Sequence, residues 1–142
     1  MVIVVTGTPG TGKTTFAKEL ALKHGYQYFD LHEFIVSRGL SAGTDEERDS
    51  LIVDEQALVE ALLPKVVANP NLVIDGHMSH EIPREHVTKC YITKCQLPVL
   101  KQRLEARGYS EAKVRENLDA EIFDICFHEA QEHHHNIEVI WT

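Results

Sequence analysis

The sequence predicts an α/β fold in which helices flank a five-stranded parallel sheet. Two observations predict it. Short apolar runs alternate with helical patterns along the chain, as they do in proteins built around a parallel sheet. A glycine-rich segment, Gly7-Thr8-Pro9-Gly10-Thr11-Gly12-Lys13-Thr14, lies between the first apolar run and the first helical pattern. With 142 residues, the chain has room for one domain, which we assign to residues 1–142.

The predicted strands are short and mostly apolar. They cover residues 2–5, 26–29, 72–75, 86–92 and 137–141. The first and third are the most apolar, which is typical of parallel strands that are buried on both faces. Residues 41–49 are polar and acidic and include Gly43, so we predict an exposed loop there.

Helical spacing of apolar residues predicts five helices between these strands. They cover residues 14–24, 31–38, 55–64, 97–107 and 111–132. Asp30, Asp54 and Ser110 precede three of them and are typical N-caps. Glycines follow three of the helices, as expected at helix ends. Pro64 is expected to kink or end the third helix, because its ring clashes with the preceding turn.

The glycine-rich segment fits the phosphate-binding pattern G-x-x-x-x-G-K-[ST], and its position between a strand and a helix supports that interpretation. Such a loop wraps a triphosphate with backbone N–H groups, so glycines are needed where side chains would intrude. Lys13 would contact the β- and γ-phosphates, and the Thr14 hydroxyl would bind Mg²⁺. The segment therefore predicts a P-loop NTPase that binds ATP and Mg²⁺.

Asp75 ends a predicted strand, at the edge of the sheet where α/β proteins bind ligands. We interpret it as the second carboxylate associated with Mg²⁺; a cap for the next segment is the alternative. His77 follows two residues later and could orient a water molecule or an acceptor near the γ-phosphate. An ordinary loop histidine is the alternative.

Arg103 and Arg107 are spaced to share one face of a helix. Two guanidinium groups at a helix end can hold a transferring phosphoryl group. Ion pairing with the many nearby acidic residues is the alternative. The triplet His133-His134-His135 is interpreted as a solvated helix end, because adjacent histidines on a helix point in different directions.

The net charge is −8, and residues 105–142 contain nine acidic and three basic residues. Such a surface does not attract nucleic acid by itself. It suits a basic protein partner, although solubility alone explains it equally well. No apolar run approaches the length of a membrane span, and the three cysteines lack zinc-binding or redox spacing. A cytoplasmic location without membrane contact is expected.

The chain resembles the adenylate kinase 6 family, which comprises small nucleoside-phosphate kinases that are also ribosome-assembly ATPases. The resemblance covers nearly the whole chain, and the short connections suggest an archaeal-type member. The matching stretches are residues 7–15, Asp75-Gly76-His77, Arg103-Leu104-Glu105-Ala106-Arg107-Gly108-Tyr109, Glu116-Asn117 and Glu121-Ile122-Phe123. Two departures are Gly76, where many members have Tyr, and Lys94, where Arg is common.

The resemblance implies a site of three parts. ATP and Mg²⁺ would be bound by Gly10, Thr11, Gly12, Lys13, Thr14 and Thr15, with Thr14 and Asp75 at the metal. Residues 30–53 would form the monophosphate-binding region, where Arg38 and Arg48 are both candidates to bind the phosphate. Residues 106–116 would form a short lid that brings Arg107 to ATP.

The resemblance also implies activities and partners. The expected reaction converts ATP and AMP to two ADP, with Lys13, Arg103 and Arg107 stabilising the migrating phosphoryl group. Asp75 and His77 would serve an ATPase activity. The expected partners are a basic small-subunit platform ribosomal protein and, indirectly, pre-rRNA. The alternative is an ATPase assembly factor or chaperone with no significant monophosphate kinase role.

Overall fold

The computed structural model describes residues 1–45, 50–69 and 71–142. The strands are β1 (Val2–Thr6), β2 (Gln27–Asp30), β3 (Ser41–Asp45), β4 (Ser50–Val53), β5 (Leu72–Asp75), β6 (Lys89–Lys94) and β7 (Ile137–Trp141). The helices are α1 (Lys13–His24), α2 (Leu31–Ser37), α3 (Glu55–Ala68), α4 (Leu97–Ala106), α5 (Glu111–Ile122) and α6 (Ile125–Glu132).

Five of these strands form one parallel sheet in the spatial order β2-β5-β1-β6-β7. The predicted fold class is therefore confirmed. β1 is central, and β5 and β6 pair with it on either side. This order brings the carboxyl ends of β1, β2 and β5 together at one edge of the sheet.

The side chains of β1 alternate between the two faces of the sheet, and both faces are covered by helices. Successive side chains of a strand point to opposite faces. Val2 and Val4 pack in one core with residues of α2 and α3, whereas Ile3 and Val5 pack in another with α1. A third apolar cluster joins α4 to α5 through Leu100, Leu104 and Val114. Because β1 is buried on both faces, its direction fixes where the loop that follows it emerges.

The exposed loop predicted at 41–49 is wrong for residues 41–45. These residues form β3, which pairs antiparallel with β4 in a two-stranded sheet; residues 46–49 lie outside the described residues. The register shifts between Ser41 and Gly43. The polar composition of β3 conceals the strand, because its pairing relies on backbone hydrogen bonds to β4.

Of the two effects expected of Pro64, a kink or an end, the end is wrong, because α3 continues to Ala68. A proline inside a helix costs about 3 kcal/mol. Leu58, Leu62 and Val66 lie on both sides of it and are all buried. Burial of each such side chain contributes about 1.5–3 kcal/mol, so the apolar face outweighs the proline.

The long helix predicted at 111–132 is two helices. α5 ends at Ile122 and α6 begins at Ile125. Asp124 between them has a φ of 53°, a left-handed conformation that Asp adopts more readily than most residues. Its carboxylate forms an ion pair with Lys94. The break redirects α6, so that Ala130 packs in the core beside the sheet.

The remaining boundaries agree closely with the sequence. The carboxylates of Asp30 and Asp54 and the hydroxyl of Ser110 accept backbone N–H groups as the predicted N-caps. The strand predicted at 86–92 starts later, at Lys89, because Arg84–His86 form a 3-10 turn. Among the described residues, no helix is both long and apolar enough to cross a membrane.

Two adjacent valines beyond Pro64 test the course of α3. Val66 is 4% exposed and Val67 is 69% exposed. We expect Val66→Ala to lower the free energy of unfolding by about 1–3 kcal/mol, because it leaves a cavity. Val67→Ala should change it by less than about 0.5 kcal/mol. Urea denaturation measures both, and equal effects would contradict a helix that continues past Pro64.

Candidate active site

The glycine-rich segment connects β1 to α1 at the carboxyl edge of the sheet. Gly7 has a φ of 146°, and a Cβ there would lie 2.6 Å from the Thr93 carbonyl oxygen. Gly12 is the N-cap of α1 and has a φ of 86°. Both positions therefore require glycine. The loop leads directly into a helix N-terminus, where backbone N–H groups and the helix dipole favour a bound phosphate.

The threonines of the loop have different surroundings. The Thr11 side chain is fully buried; its hydroxyl donates to the Thr8 carbonyl at 2.6 Å and lies 2.7 Å from Thr93 Oγ1. Thr11 therefore holds the loop closed, and only its backbone is available to a ligand. Thr14 and Thr15 are exposed in the first turn of α1.

Lys13 lies partly buried over the loop. Its Nζ donates to the Thr8 carbonyl oxygen at 3.2 Å. Desolvation lowers the pKa of Lys13 to about 8, the Asp75 carboxylate opposes this shift, and the Arg107 guanidinium adds to it. An ammonium that has lost water and gained few compensating contacts has much to gain from a nearby anion. This is the environment expected of a phosphate-binding lysine.

The structure brings Thr14 and Asp75 together. Asp75 is only 5% exposed at the end of β5. Its Oδ2 accepts hydrogen bonds from Thr14 Oγ1 at 2.8 Å and from the Tyr28 hydroxyl at 2.6 Å. A hydroxyl and a carboxylate are the hard oxygen ligands that Mg²⁺ prefers, so this pair of residues fits the ion.

Sequence reasoning missed Tyr28. It belongs to β2, which pairs with β5, so only the strand order places it beside Asp75. Desolvation and the hydrogen bond to Asp75 raise the pKa of Tyr28, so its hydroxyl stays protonated and remains a donor. Tyr28 thereby fixes the orientation of the Asp75 carboxylate.

His77 lies in the segment that follows Asp75. Its carbonyl oxygen accepts from Thr6 Oγ1 at 3.2 Å, which ties this segment to the end of β1. The pKa of His77 lies below its ordinary value, first through desolvation and then through the Lys13 ammonium. Because the residue is exposed to water, desolvation is incomplete and the shift is smaller than full burial would cause. The imidazole is neutral at pH 7.

Gly76 connects the two residues of this motif in close contact with α2. A Cβ at Gly76 would lie 2.7 Å from the Cβ of Leu31. A larger residue at this position needs α2 to be placed differently. The close contact between Gly76 and Leu31 therefore explains why this chain has glycine where the resembling family often has tyrosine.

The two predicted arginines are placed differently. Arg103 Nη1 donates to the Gly10 carbonyl at 3.3 Å and to Thr142 Oγ1 at 2.9 Å, so Arg103 contacts the backbone of the glycine-rich loop. Arg107 is exposed at the end of α4, with its guanidinium 6.0 Å from the ring centre of Tyr109. Its charge lowers the pKa of Lys13, so the two side chains are near enough to interact electrostatically.

A buried carboxylate braces the loop from behind. Glu121 is 8% exposed; one oxygen accepts from Thr8 Oγ1 at 3.4 Å and the other from the Cys95 backbone N–H at 3.2 Å. The sequence analysis named Glu121 only as part of the family resemblance and predicted no role for it. Its function here is to hold the loop against β6 and α5.

The regions expected to bind the monophosphate and to form a lid flank this cleft. α2 begins where β2 ends, and Asp30 is in register with Asp75. Arg38 stacks on Phe34, 5.2 Å from the ring centre, whereas Arg48 lies outside the described residues. Within the expected lid, residues 107–110 connect α4 to α5, and residues 111–116 form the first half of α5.

The interpretation of the histidine triplet as a solvated helix end is wrong for His135. His135 is 8% exposed, and its Nε2 lies 2.7 Å from the His80 carbonyl oxygen. The His133 side chain is 38% exposed, and its Nε2 lies 2.9 Å from Glu81 Oε2. His134 is exposed. The break between α5 and α6 turns this end of α6 toward the protein, which the sequence pattern did not indicate.

A parallel sheet with a glycine-rich P-loop after its central strand, and a carboxylate at the end of the neighbouring strand, defines a P-loop NTPase fold. Solved kinase structures share this fold. The chain matches shikimate kinase from Acinetobacter baumannii in complex with shikimate with a TM-score of 0.66 at 18% identity, over 99% of this chain and 83% of that one. It matches deoxyadenosine kinase from M. mycoides with a TM-score of 0.61 at 15% identity, over 99% and 90%.

Sequence comparisons define the family more narrowly. A family model described as "AAA domain" matches residues 3–124. A relative named "Putative adenylate kinase" from Pyrococcus abyssi is 39% identical over 96% of this chain and 72% of its own length. A relative of the same name from Methanocaldococcus jannaschii is 35% identical over 92% and 72%. The chain therefore belongs to the family of these archaeal adenylate kinase-like proteins.

The contact between Tyr28 and Asp75 leads to a prediction. Tyr28→Phe removes the donor that orients Asp75 and should weaken Mg²⁺-dependent ATP binding by about tenfold, as loss of a group that orients a metal ligand commonly does. Tyr26→Phe is the matched control, because among the described residues its hydroxyl donates to the sulfur of Met1, away from Asp75. Isothermal titration with ATP and Mg²⁺ measures both, and equal affinities would contradict the role given to Tyr28.

Proposed function

We propose that this protein is an adenylate kinase-type phosphotransferase that converts ATP and AMP to two ADP. The convergence of Lys13, Thr14 and Asp75 at the carboxyl ends of β1 and β5 carries this proposal. Such a constellation suits a nucleoside triphosphate with its Mg²⁺. The family of archaeal relatives named for adenylate kinase supports AMP as the acceptor.

The loop residues Gly10, Thr11, Gly12, Lys13, Thr14 and Thr15 would hold the triphosphate, chiefly through the backbone. Thr14 and Asp75 would hold Mg²⁺, which neutralises phosphate charge when it is bound. In the transfer, an oxygen of the AMP phosphate forms a bond to the γ-phosphorus, and the bond to the bridging oxygen of ADP breaks. The protein mainly positions these groups and stabilises their negative charge.

Basic and acidic side chains both act on the groups of this cleft, with Asp75 and Glu121 beside the basic residues. The charges of Lys13, Arg107 and Lys113 each act on a neighbouring group there: Arg107 on Lys13, and Lys13 and Lys113 on His77. In the proposed reaction, Lys13 and Arg107 stabilise the migrating phosphoryl group. Arg103 acts through the glycine-rich loop, whose Gly10 carbonyl it contacts.

Lys13→Met tests the proposal. We expect AMP-dependent formation of ADP to fall by more than about 10²-fold, because a charge that stabilises the transition state is lost. Lys23→Met, in the exposed last turn of the same helix, should retain wild-type activity. ADP is measured by coupled assay or chromatography with ATP, Mg²⁺ and AMP. The proposal fails if AMP does not increase ADP formation by the wild-type protein, or if Lys13→Met remains fully active.

Lys13→Met, which should lower activity, should raise the stability of the protein without nucleotide. The pKa of Lys13 falls to about 8 in the folded protein, against about 10.4 for an unperturbed lysine. Between these values the unfolded chain binds more protons, so the contribution of Lys13 to stability rises with pH. Lys13→Met should therefore raise the melting temperature at pH 7 without nucleotide, and this gain should shrink toward pH 10. A gain that is independent of pH would contradict the desolvation of Lys13.

His77 favours a second activity, hydrolysis of ATP, because a neutral imidazole in the cleft can accept a proton from water. Since its pKa lies below the ordinary 6.5, His77 stays neutral as the pH falls to that value. The wild-type kcat/KM for hydrolysis divided by that of His77→Gln should therefore stay level from pH 8 to 6.5 and fall only below it. Dividing the two removes the titration of ATP itself.

The exposed His24→Gln variant is the control and should hydrolyse ATP like the wild type. If His77→Gln hydrolyses ATP as fast as the wild type at every pH, His77 has no part in hydrolysis.

We also propose a macromolecular partner for this protein. The resemblance to ribosome-assembly ATPases and the acidic C-terminal segment, residues 105–142, support binding of a basic small-subunit platform ribosomal protein, with indirect association with pre-rRNA. Pull-down of that ribosomal protein with and without ATP tests this. Absence of binding in every nucleotide state would remove this partner and leave the kinase and hydrolysis reactions proposed above.

A further inference from the structure

A second group of titratable side chains lies where the turn Ser79–Glu81 contacts α6. His80 and Glu81 come from the turn and Glu129 comes from the helix. His80 Nε2 lies 3.3 Å from Glu81 Oε1 and 3.7 Å from Glu129 Oε2. One ligand atom from each residue can be chosen so that all three lie within 4.8 Å of one another. None of these residues belongs to the candidate active site described above.

The hydrogen bonds of Thr6 are compatible with a proton on Nδ1 of His80. The Thr6 hydroxyl can donate to the His77 carbonyl oxygen at 3.2 Å, and it lies 2.7 Å from His80 Nδ1. With its own proton on the carbonyl oxygen, the hydroxyl accepts a hydrogen bond from Nδ1–H, and the free lone pair is then on Nε2. A histidine whose Nδ1–H is bound by a polar group is the usual arrangement of a metal ligand that binds through Nε2.

The Nε2 atom of His80 has no hydrogen-bond partner among the described residues, although the side chain is 2% exposed. A buried nitrogen of this kind is costly unless something pairs with it. A protonated imidazole would donate Nε2–H to a carboxylate, but neither carboxylate contact has hydrogen-bond geometry. A neutral imidazole would direct its lone pair at two carboxylates. A cation between the three groups resolves both difficulties.

The distances fit a transition metal. Four ligands at about 2.0–2.2 Å from a tetrahedral Zn²⁺ lie about 3.3–3.6 Å from one another. The separations of 3.3 and 3.7 Å from His80 Nε2 to the two carboxylate oxygens agree with this spacing. One imidazole and two carboxylates favour Zn²⁺ and similar ions over Mg²⁺ or Ca²⁺, which prefer sites made only of oxygen.

The surroundings of these three residues would support a bound ion. The second oxygen of Glu81 lies 2.9 Å from His133 Nε2. This contact would hold the carboxylate in one orientation, as residues that hydrogen-bond to metal ligands commonly do. Glu129 lies in α6, and His133 follows one turn later as the C-cap of that helix. Their side chains are each 38% exposed, so an ion could enter from solvent.

We propose that His80, Glu81 and Glu129 form a binding site for one divalent transition-metal ion of the Zn²⁺ type, separate from the Mg²⁺ position at Thr14 and Asp75. A water molecule would complete the tetrahedron. The ion would connect α6 to the turn that follows β5. Because Thr6 contacts both His80 and the His77 carbonyl, the ion would also hold the segment that carries His77.

Titration of the chelator-treated full chain with Zn²⁺ tests this site. Isothermal titration without nucleotide and with excess Mg²⁺, which competes for hard oxygen ligands, should show one Zn²⁺ per chain. Zn²⁺ should also raise the melting temperature, since it binds the folded state. Glu129→Gln should weaken this binding at least about tenfold, and it should fold because Glu129 is partly exposed. His80→Gln should abolish the binding.

His134→Asn is the matched control, because His134 is exposed in the same triplet and has a positive φ that Asn tolerates. It should bind Zn²⁺ like the wild type. The proposal is overturned if the wild type shows no equimolar binding, or if Glu129→Gln binds as tightly as the wild type. Equal losses in Glu129→Gln and His134→Asn would indicate nonspecific binding by histidine-rich surface, which also overturns it.

Discussion

The buried carboxylate of Asp75 is the group on which the candidate active site depends. A charge that is 5% exposed must be satisfied by hydrogen bonds, and Asp75 meets this need with Thr14 from α1 and Tyr28 from β2. These contacts can form only because β1, β2 and β5 are parallel and end at the same edge. The sheet order therefore determines where a triphosphate and its metal ion would lie.

Other buried polar contacts hold the loops around this carboxylate. Glu121 braces the glycine-rich loop through Thr8, and Thr6 joins the end of β1 to the segment that carries His77. Lys13 contacts the Thr8 carbonyl oxygen and has a lowered pKa. The polar groups of these loops thus already have hydrogen-bond partners before a ligand binds. The Lys13 ammonium, by contrast, would be stabilised by a bound anion. This arrangement reduces the cost of ordering the site when substrate binds.

The features that the sequence predicted are local in the chain. The glycine-rich loop, the caps of three helices and the strand that ends at Asp75 each depend on residues within a few positions of one another. Tyr28 and the contacts of His133 with Glu81 could not be predicted, because they depend on strand order and on the break at Asp124. Of the kink or end expected at Pro64, the end was wrong, because the helix continues past the proline and buries Val66. The bounds and roles assigned to the monophosphate-binding region and the lid stay predictions.

The stoichiometry of the reaction tests the account most directly. Phosphorus NMR of the wild-type protein with ATP, Mg²⁺ and AMP distinguishes transfer to AMP from transfer to water. The account predicts two ADP for each ATP consumed, with inorganic phosphate appearing only as a slower product. One ADP and one inorganic phosphate per ATP, with AMP unchanged, would contradict the proposal that this site is a nucleoside-monophosphate kinase.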